Sequence, residues 1–404
     1  MKVILIKGES QYGVLPYFLN DIGEGFTARS WEVMEIDLCA VSVEECVNSL
    51  ETGKPDLVFS FNIAGELVDG RGRRIFDIAG APHILQLVDY PLHTLDRLNR
   101  TAPSTGLLMV DPSHVQAMKT LYPPNRFAYL GFSPHGGMGE VEPLPDAAEA
   151  FAANRDIPVF FAGTFYRPET PPWVTEAVPP ALQDIFHEAL RRALAVEWLP
   201  AQEALDGVLR DAGLDISGRD EDCLQVRRLA GFVHQQVRVE RRYRFFQAAA
   251  RVGLPITVAG SQYEVDAETF PNLQILGPKP VEEVLALMRR SRMVASISAN
   301  FGRGSHERPF TAMLAGAAAI SDYTTYFSNA FTDGEIALFR WQHLDEDLAR
   351  IAELLRDPAA LFEMARAGQA KAAAEHRWSN RVDGIIAAGK AVAKKLNPSS
   401  RLLN

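Results

Sequence analysis

What this sequence has little of narrows the field first. It has three cysteines, Cys39, Cys46 and Cys223, and none of their spacings is that of a zinc site. So few and unpaired, they suit a reducing compartment and exclude a disulfide scaffold. None of the nine histidines sits in an HExxH pair. The dinucleotide fingerprint GxGxxG is absent. The loop Gly8-Glu9-Ser10-Gln11-Tyr12-Gly13 carries glycines at other spacings, so a nicotinamide cofactor has no support. Positive charge is short as well: 41 Lys and Arg face 51 Asp and Glu, a net charge of -10. No nucleic-acid partner is expected without a basic footprint. No run approaches the ~20 apolar residues of a membrane span, so no integral membrane association is expected. The short apolar run from Met1 to Lys7 gives way to polar residues and reads as a buried strand rather than an export signal. These absences together point to a cytoplasmic protein with no cofactor and no bound metal.

What is present is globular. The 404 residues are 47% hydrophobic and 23% charged, too long a chain for one ordinary core. Short apolar runs alternate with helical patterns. The first array comprises Val3–Ile6, Glu32–Leu38, Asp56–Phe61, His83–Val88, Leu107–Val110 and Phe127–Leu130. A Gly- and Pro-rich stretch from Ser133 to Pro145 then breaks the rhythm. A second array follows: Pro158–Ala162, Ile256–Ala259, Leu273–Leu276, Met293–Ser298, Ala317–Ser321 and Ile336–Phe339. Alternating strand and helix predicts a parallel sheet covered on both faces. The expectation is an α/β chain of two doubly wound domains, 1–145 and 158–375, with a C-terminal helix and tail over 376–404. A helical insertion occupies about 172–239, with helices over Ala181–Ala195 and Ala201–Ala212, and leads into a helix around Arg241–Val252. The tail after Leu396 is expected to fray.

In such sheets ligands bind beyond the carboxyl ends of the strands, so each motif is judged by whether it follows one. The loop Gly302-Arg303-Gly304-Ser305-His306-Glu307-Arg308 does, and it opens a helix at Pro309. Free N–H groups at a helix start favour phosphate. Arg303 and Arg308 have the fork geometry to clamp phosphate oxygens. His306 can donate to a phosphate or sugar hydroxyl, and Glu307 can accept from hydroxyls. The competing reading is an ordinary loop with solvated charges. Gly163-Thr164, with Arg167 behind, and Gly260-Ser261 also follow strands. Either pair is a further ligand contact or a plain turn. Lys279, after another strand, either reaches a phosphate or is solvated.

In the first domain Glu9, Tyr12 and Gly13 follow the first strand, Asn62 the third and Asp89 the fourth, with His93 close by. Asp89 can serve as a general base on an acceptor hydroxyl, with Tyr90 and Pro91 stiffening the turn and shielding the carboxylate. It can equally be a turn or cap residue. Asp220-Glu221-Asp222 and Asp345-Glu346-Asp347 resemble metal-binding D-x-D, yet sit at expected helix starts, where acids serve the helix dipole. Arg71-Gly72-Arg73-Arg74 and Arg241-Arg242-Tyr243-Arg244 read as solvated faces, with an anion site as the minor reading.

The segments GSHERPFTAMLAGAAAISD, FTDGEIALF (Phe331–Phe339) and EHRWSNRV (Glu375–Val382), and more loosely PVFFAGTFYRP (158–168) and LQLVDYPLHTL (85–95), together resemble the bacterial CgeB-like, spore-maturation-type glycosyltransferases of the GT-B fold. The resemblance implies two Rossmann-like domains, the second binding a nucleotide sugar and the first an acceptor, with the C-terminal helix returning to the first. It implies transfer of the sugar to an acceptor hydroxyl of a protein, glycan or small molecule. No metal would be needed, and a UDP-sugar would be the favoured co-substrate. His306 and Asp89 become catalytic candidates; Gly163, Thr164, Arg167, Gly260, Ser261, Lys279, Arg303, Gly304, Ser305, Glu307, Arg308 and Thr311 become donor-side candidates; Glu9, Tyr12, Gly13, Asn62 and His93 become acceptor-side candidates. Many GT-B enzymes hold the donor ribose with a glutamate where this chain has Thr311. A nucleotide-sugar epimerase of the same fold and a non-catalytic nucleotide- or sugar-binding protein remain alternatives.

Overall fold

The computed structural model describes residues 1–10, 13–62, 68–175, 178–214, 221–263, 268–299 and 301–396. The chain divides into two compact units, Met1–Met138 with His376–Asn404, and Gly139–Glu375.

The first unit is built on β1 (Lys2–Lys7), β2 (Glu32–Asp37), β3 (Leu57–Phe61), β4 (His83–Leu87), β5 (Gly106–Met109) and β6 (Tyr129–Phe132). They form one six-stranded sheet in the order β2-β1-β3-β4-β5-β6, parallel throughout. Every residue of β3 and β4 is buried, which is why these strands read as unbroken apolar runs. Two buried polar side chains stand in these strands side by side: Ser60 Oγ lies 2.8 Å from His83 Nε2, and burial pushes His83 down to about 3. The helix Val43–Gly53 starts where it does because Ser42 Oγ accepts from Glu45 N while Glu45 accepts from Ser42 N at 2.8 Å.

The last helix, Val382–Leu396, belongs to this first unit. Arg377 Nε donates to the buried carboxylate of Asp21 at 2.9 Å. Arg29 grips Asp383 through two bonds of 2.6 and 2.7 Å. The buried Trp378 packs on Phe18 and Phe61, both at 4.9 Å between ring centroids.

The second unit contains β7 (Ile157–Ala162), β8 (Phe165–Tyr166), β9 (Ile256–Ala259), β10 (Gln262–Tyr263), β11 (Leu273–Gly277), β12 (Ser291–Ser296), β13 (Ala318–Asp322) and β14 (Ala337–Phe339). Six of these make a sheet in the order β11-β9-β7-β12-β13-β14, and β8 pairs with β10 separately. The helices Pro180–Ala195, Ala201–Asp211, Glu221–Arg228 and Ala230–Arg251 lie between β8 and β9. The core beneath includes Phe161, Phe165, Phe245 and Phe246, with Phe165 stacked on Phe246 at 3.9 Å.

Several details depart from the sequence reading. β6 starts two residues later than expected, because Phe127 is buried under Arg126, 4.6 Å from its ring. Ala128 N is already bonded to Thr105 O ahead of the ladder. The second unit begins at Gly139 rather than 158, since the helix Ala148–Asn154 places Phe151 in that unit's core. The helix expected around Arg241–Val252 is the second half of a 22-residue helix. Arg241 is 1% exposed, so Arg241-Arg242 is no solvated face. The fraying expected after Leu396 concerns residues outside the described ones.

Candidate active site

In the second unit's sheet the strand order reverses between β7 and β12: from β7 the chain proceeds to β9 and β11, from β12 to β13 and β14. The loops leaving neighbouring strands there run in opposite directions and open a crevice, the usual ligand position in this architecture. The loop after β7 holds Gly163 and Thr164, and that after β12 runs through His306 into the helix Glu307–Leu314.

The second loop is fixed from below. Ser298 N donates to the buried carboxylate of Asp322 at 2.6 Å. Burial pushes that carboxyl up, opposed by this bond and by the charge of Arg241. Gly302 O accepts from Thr325 N at 3.0 Å, and Gly304 O from Thr324 Oγ1 at 2.9 Å. Two carbonyls are thus turned away from the crevice and occupied.

Cationic groups gather at the crevice. Arg308 Nη1 is buried and makes no hydrogen bond among the described residues. It lies 3.9 Å from the point where a β-carbon on Gly163 would stand. Arg242 Nη1 donates to Thr164 O at 2.8 Å. Loss of water contact pushes Arg242 down to about 9, and the like charges of Arg238 and Arg308 push the same way. Guanidinium groups that repel each other across a glycine loop favour a polyvalent anion between them. The sequence reading misses Arg238, and gives Arg242, one helical turn on, an anion site only as its minor reading. The signal was their i, i+4 spacing, masked by the neighbouring charges that suggested a solvated face.

Glu307 sits between two partners. Its Oε2 contacts His306 Nδ1, and its Oε1 lies 3.8 Å from Arg308 Nη2. A carboxylate against Nδ1 places a ring proton there, leaving Nε2 to accept in the neutral ring and to donate in the protonated one. Arg308 N, 3.3 Å from Nδ1, donates to it only in the tautomer that carries the proton on Nε2.

The remaining donor-side candidates fall into three groups. Gly260 packs on Gly163, and Ser261 beside it is partly buried. Ser305 and Thr311 are buried, at 0% and 1% exposure. Three residues have other surroundings. Arg303 stacks on Trp198 at 5.4 Å and lies 3.7 Å from Glu203. Lys279 follows the edge strand β11 and pairs with Glu283 at 3.1 Å. Arg167 is exposed.

In the first unit, Asn62 and Asp89 meet at the carboxyl ends of β3 and β4. Asn62 Nδ2 donates to Asp89 Oδ2 at 2.8 Å, and Asn62 Oδ1 accepts from Val88 N at 3.0 Å. Asn62 adopts a left-handed φ of 53° to do so. Tyr90 and Pro91 are buried, but Asp89 is exposed, so the expected shielding is absent. Its orientation comes from Asn62 instead. Glu9 and His93 are exposed, the latter with its ring 5.7 Å from that of Tyr90. Gly13 caps the helix Val14–Thr27. Tyr12 lies outside the described residues, as does Asp220.

Among the described residues no group of three or more His, Cys, Asp or Glu side chains is arranged to hold a metal ion. Asp347 is buried and accepts from Arg340 N at 2.8 Å and from its guanidinium at 2.9 Å. No described helix is long and apolar enough to cross a membrane.

Residues 241–387 match the family model described as glycosyl transferase-like. The protein is a glycosyltransferase. The match covers the β9–β14 half of the second unit and the first turns of the last helix. It therefore includes Arg242 and the whole 301–308 loop. An alpha-glucosyltransferase solved with UDP and a 13-mer DNA superposes with a TM-score of 0.52 at 11% identity, over 98% of this chain and 100% of that one. That likeness establishes the GT-B fold of the glycosyltransferase. The sucrose-phosphate synthase of Thermosynechococcus elongatus covers 99% of this chain and 100% of its own, at 11% identity and a TM-score of 0.47. Anabaena HepE, solved with UDP and glucose, covers 98% and 99% at 13% identity and 0.42. No curated protein shows significant similarity to the chain.

Proposed function

We propose that this glycosyltransferase takes its sugar from a nucleotide-sugar donor whose diphosphate lies in the crevice between the β7 and β12 loops. The supporting observation is the buried Arg308 Nη1, without a hydrogen bond among the described residues and facing Gly163, with the charges of Arg308 and Arg238 close enough to push Arg242 down. The positive end of the dipole of the helix starting at Glu307 would add to the attraction for phosphate. The acceptor is a hydroxyl of a protein, glycan or small molecule. Asp89, oriented by Asn62, is the candidate base that would take its proton. His306 is the candidate donor of a hydrogen bond or proton on the sugar side. The guanidinium cluster would carry the leaving diphosphate's charge without a metal. A UDP-sugar is the first donor class to test, since the alpha-glucosyltransferase sharing the fold holds UDP. The proposed subtype is CgeB-like, on the GSHER segment, and the proposed location is the cytoplasm. The epimerase and the non-catalytic binding protein gain no support from the comparisons.

A thermal-shift screen of UDP-, GDP-, dTDP- and CMP-sugars tests this reading. One class should raise the melting temperature, and Arg308→Ala should abolish the shift. Transfer should persist in excess EDTA after dialysis. Activity lost in EDTA and restored by Mn²⁺ or Mg²⁺ would overturn metal independence. Turnover of donor to an epimer without acceptor would revive the epimerase.

A further inference from the structure

We propose that Trp198, supplied by the helical insertion, is a positioning residue for the donor loop, an inference that rests on the donor-site reading above. Gly302 is in van der Waals contact with the indole of Trp198. A β-carbon there would fall 1.7 to 1.9 Å from ring atoms Cδ2, Cε2 and Cγ. The ring thus lies flat on the loop backbone, and only glycine permits that approach. The next residue closes over the same ring, with the Arg303 guanidinium 5.4 Å from its centroid and Glu203 of the insertion 3.7 Å from Arg303. Two consecutive loop residues are therefore held by one side chain.

The clamp works because Trp198 is itself anchored. Arg241, buried beneath, donates through Nη2 to the carbonyls of Ala193, Val196 and Glu197 at 3.2, 3.2 and 2.9 Å. Its Nη1 reaches Ala299 O, at the root of the loop, at 3.4 Å. The Glu197 carboxylate accepts from Trp341 N and Gln342 N at 2.8 and 3.2 Å. One guanidinium and one carboxylate thus tie the segment before Trp198 to the loop root and to the chain after β14. Tertiary contacts thereby make the insertion part of the donor site's scaffold. The loop's backbone is held in place before the diphosphate arrives, so binding need not order it. Loss of the clamp would weaken donor and transition state alike, which raises KM and spares kcat.

Trp198 is also addressable. Trp31, Trp173, Trp341 and Trp378 are at most 5% exposed, whereas Trp198 is partly exposed. Iodide should therefore quench Trp198 selectively. The experiment uses the full chain and UDP-glucose, or whichever nucleotide sugar gives the largest thermal shift. Trp198→Ala should raise the donor KM at least about tenfold, leave kcat within about threefold, and melt within a few degrees of wild type. Trp198→Phe should recover most of the KM. An unchanged KM in a folded Trp198→Ala protein, or a loss confined to kcat, would overturn the proposal. Should Trp198→Ala not fold, iodide quenching of the wild type decides: with the loop already held, donor binding should leave Trp198 quenching within about a fifth of its free value, and a drop of more than about half, showing a loop that orders only on binding, would overturn the proposal. Arg308→Ala separates the two failures. If it keeps full donor affinity, the donor-site reading itself falls. If it loses affinity while Trp198→Ala does not, only the clamp falls.

Discussion

Gly260 and Gly163 stand backbone to backbone: a β-carbon on Gly260 would come within 2.2 Å of the Gly163 carbonyl oxygen and 2.6 Å of its carbon. Each has a φ of 154°. The loops after β7 and β9 can lie this close only because Gly260 carries no side chain. Gly260→Ala must push the β7 loop, and with it Thr164 and Arg242, out of place. It is expected to destabilise the fold by about 1–3 kcal/mol, as overpacking does, and to weaken donor binding. Urea unfolding and calorimetry would check both. A protein of unchanged stability would show that the loops have room to separate.

Arg308→Ala removes the guanidinium whose Nη1 is buried without a partner. Donor affinity should fall by ~1.5–3 kcal/mol, the range for a hydrogen bond to a charged group. Stability should fall modestly, since Glu307 Oε1, 3.8 Å from Arg308 Nη2, loses its cationic neighbour. Isothermal calorimetry and a melting curve measure the two effects separately.

Arg242 sets an alkaline limit. Its folded value of about 9 lies below the ordinary arginine value, so it loses its proton first in the folded protein. Donor affinity should fall as pH rises through 9, and Arg242→Gln should bind weakly at all pH values with that step removed. The effect on stability has the opposite sign. Between the folded and unfolded values the unfolded chain holds more protons, so this group's contribution to stability rises with pH. Calorimetry from pH 7 to 10 on both proteins is the check.

Asp89→Asn preserves the acceptor for Asn62 Nδ2 and removes the basicity. The variant should bind nucleotide sugar normally, melt within a few degrees of wild type and transfer at least ~100-fold more slowly. Full activity in a stable variant would leave the base to be found elsewhere, with His93 or Glu9 next, or would indicate a retaining reaction that needs none.

His83 makes the first unit acid-labile. It is buried and held neutral at about 3, below the ordinary histidine range. Between those values the unfolded state binds the additional proton, so stability is lost as pH falls from about 6.5 toward 3. The loss is at most about 5 kcal/mol at ~1.4 kcal/mol per unit. His83→Gln keeps a hydrogen-bonding group for Ser60 and does not titrate. Its unfolding free energy should vary less between pH 7 and 4 than that of the wild type.

The sequence by itself determined the strands and their grouping. Buried parallel strands must be apolar on both faces, so runs such as Leu57–Phe61 and Met293–Ala295 stand out against any helical pattern. It also determined the Gly302–Arg308 segment as the loop to watch, since glycines and cations between two buried elements have few structural explanations. The tertiary structure decided where each cation points. Arg303 and Arg308 lie in the same short loop, yet Arg303 is drawn onto Trp198 while Arg308 turns toward Gly163. Arg242 arrives from a helix that starts at Ala230 and is distant in sequence from either loop. Trp198 and Glu197 gain their roles only when the insertion folds back on the loop. Local propensity is written in neighbouring residues. The direction of a long side chain depends on which partner the fold places within its reach, and those partners lie tens to hundreds of residues away.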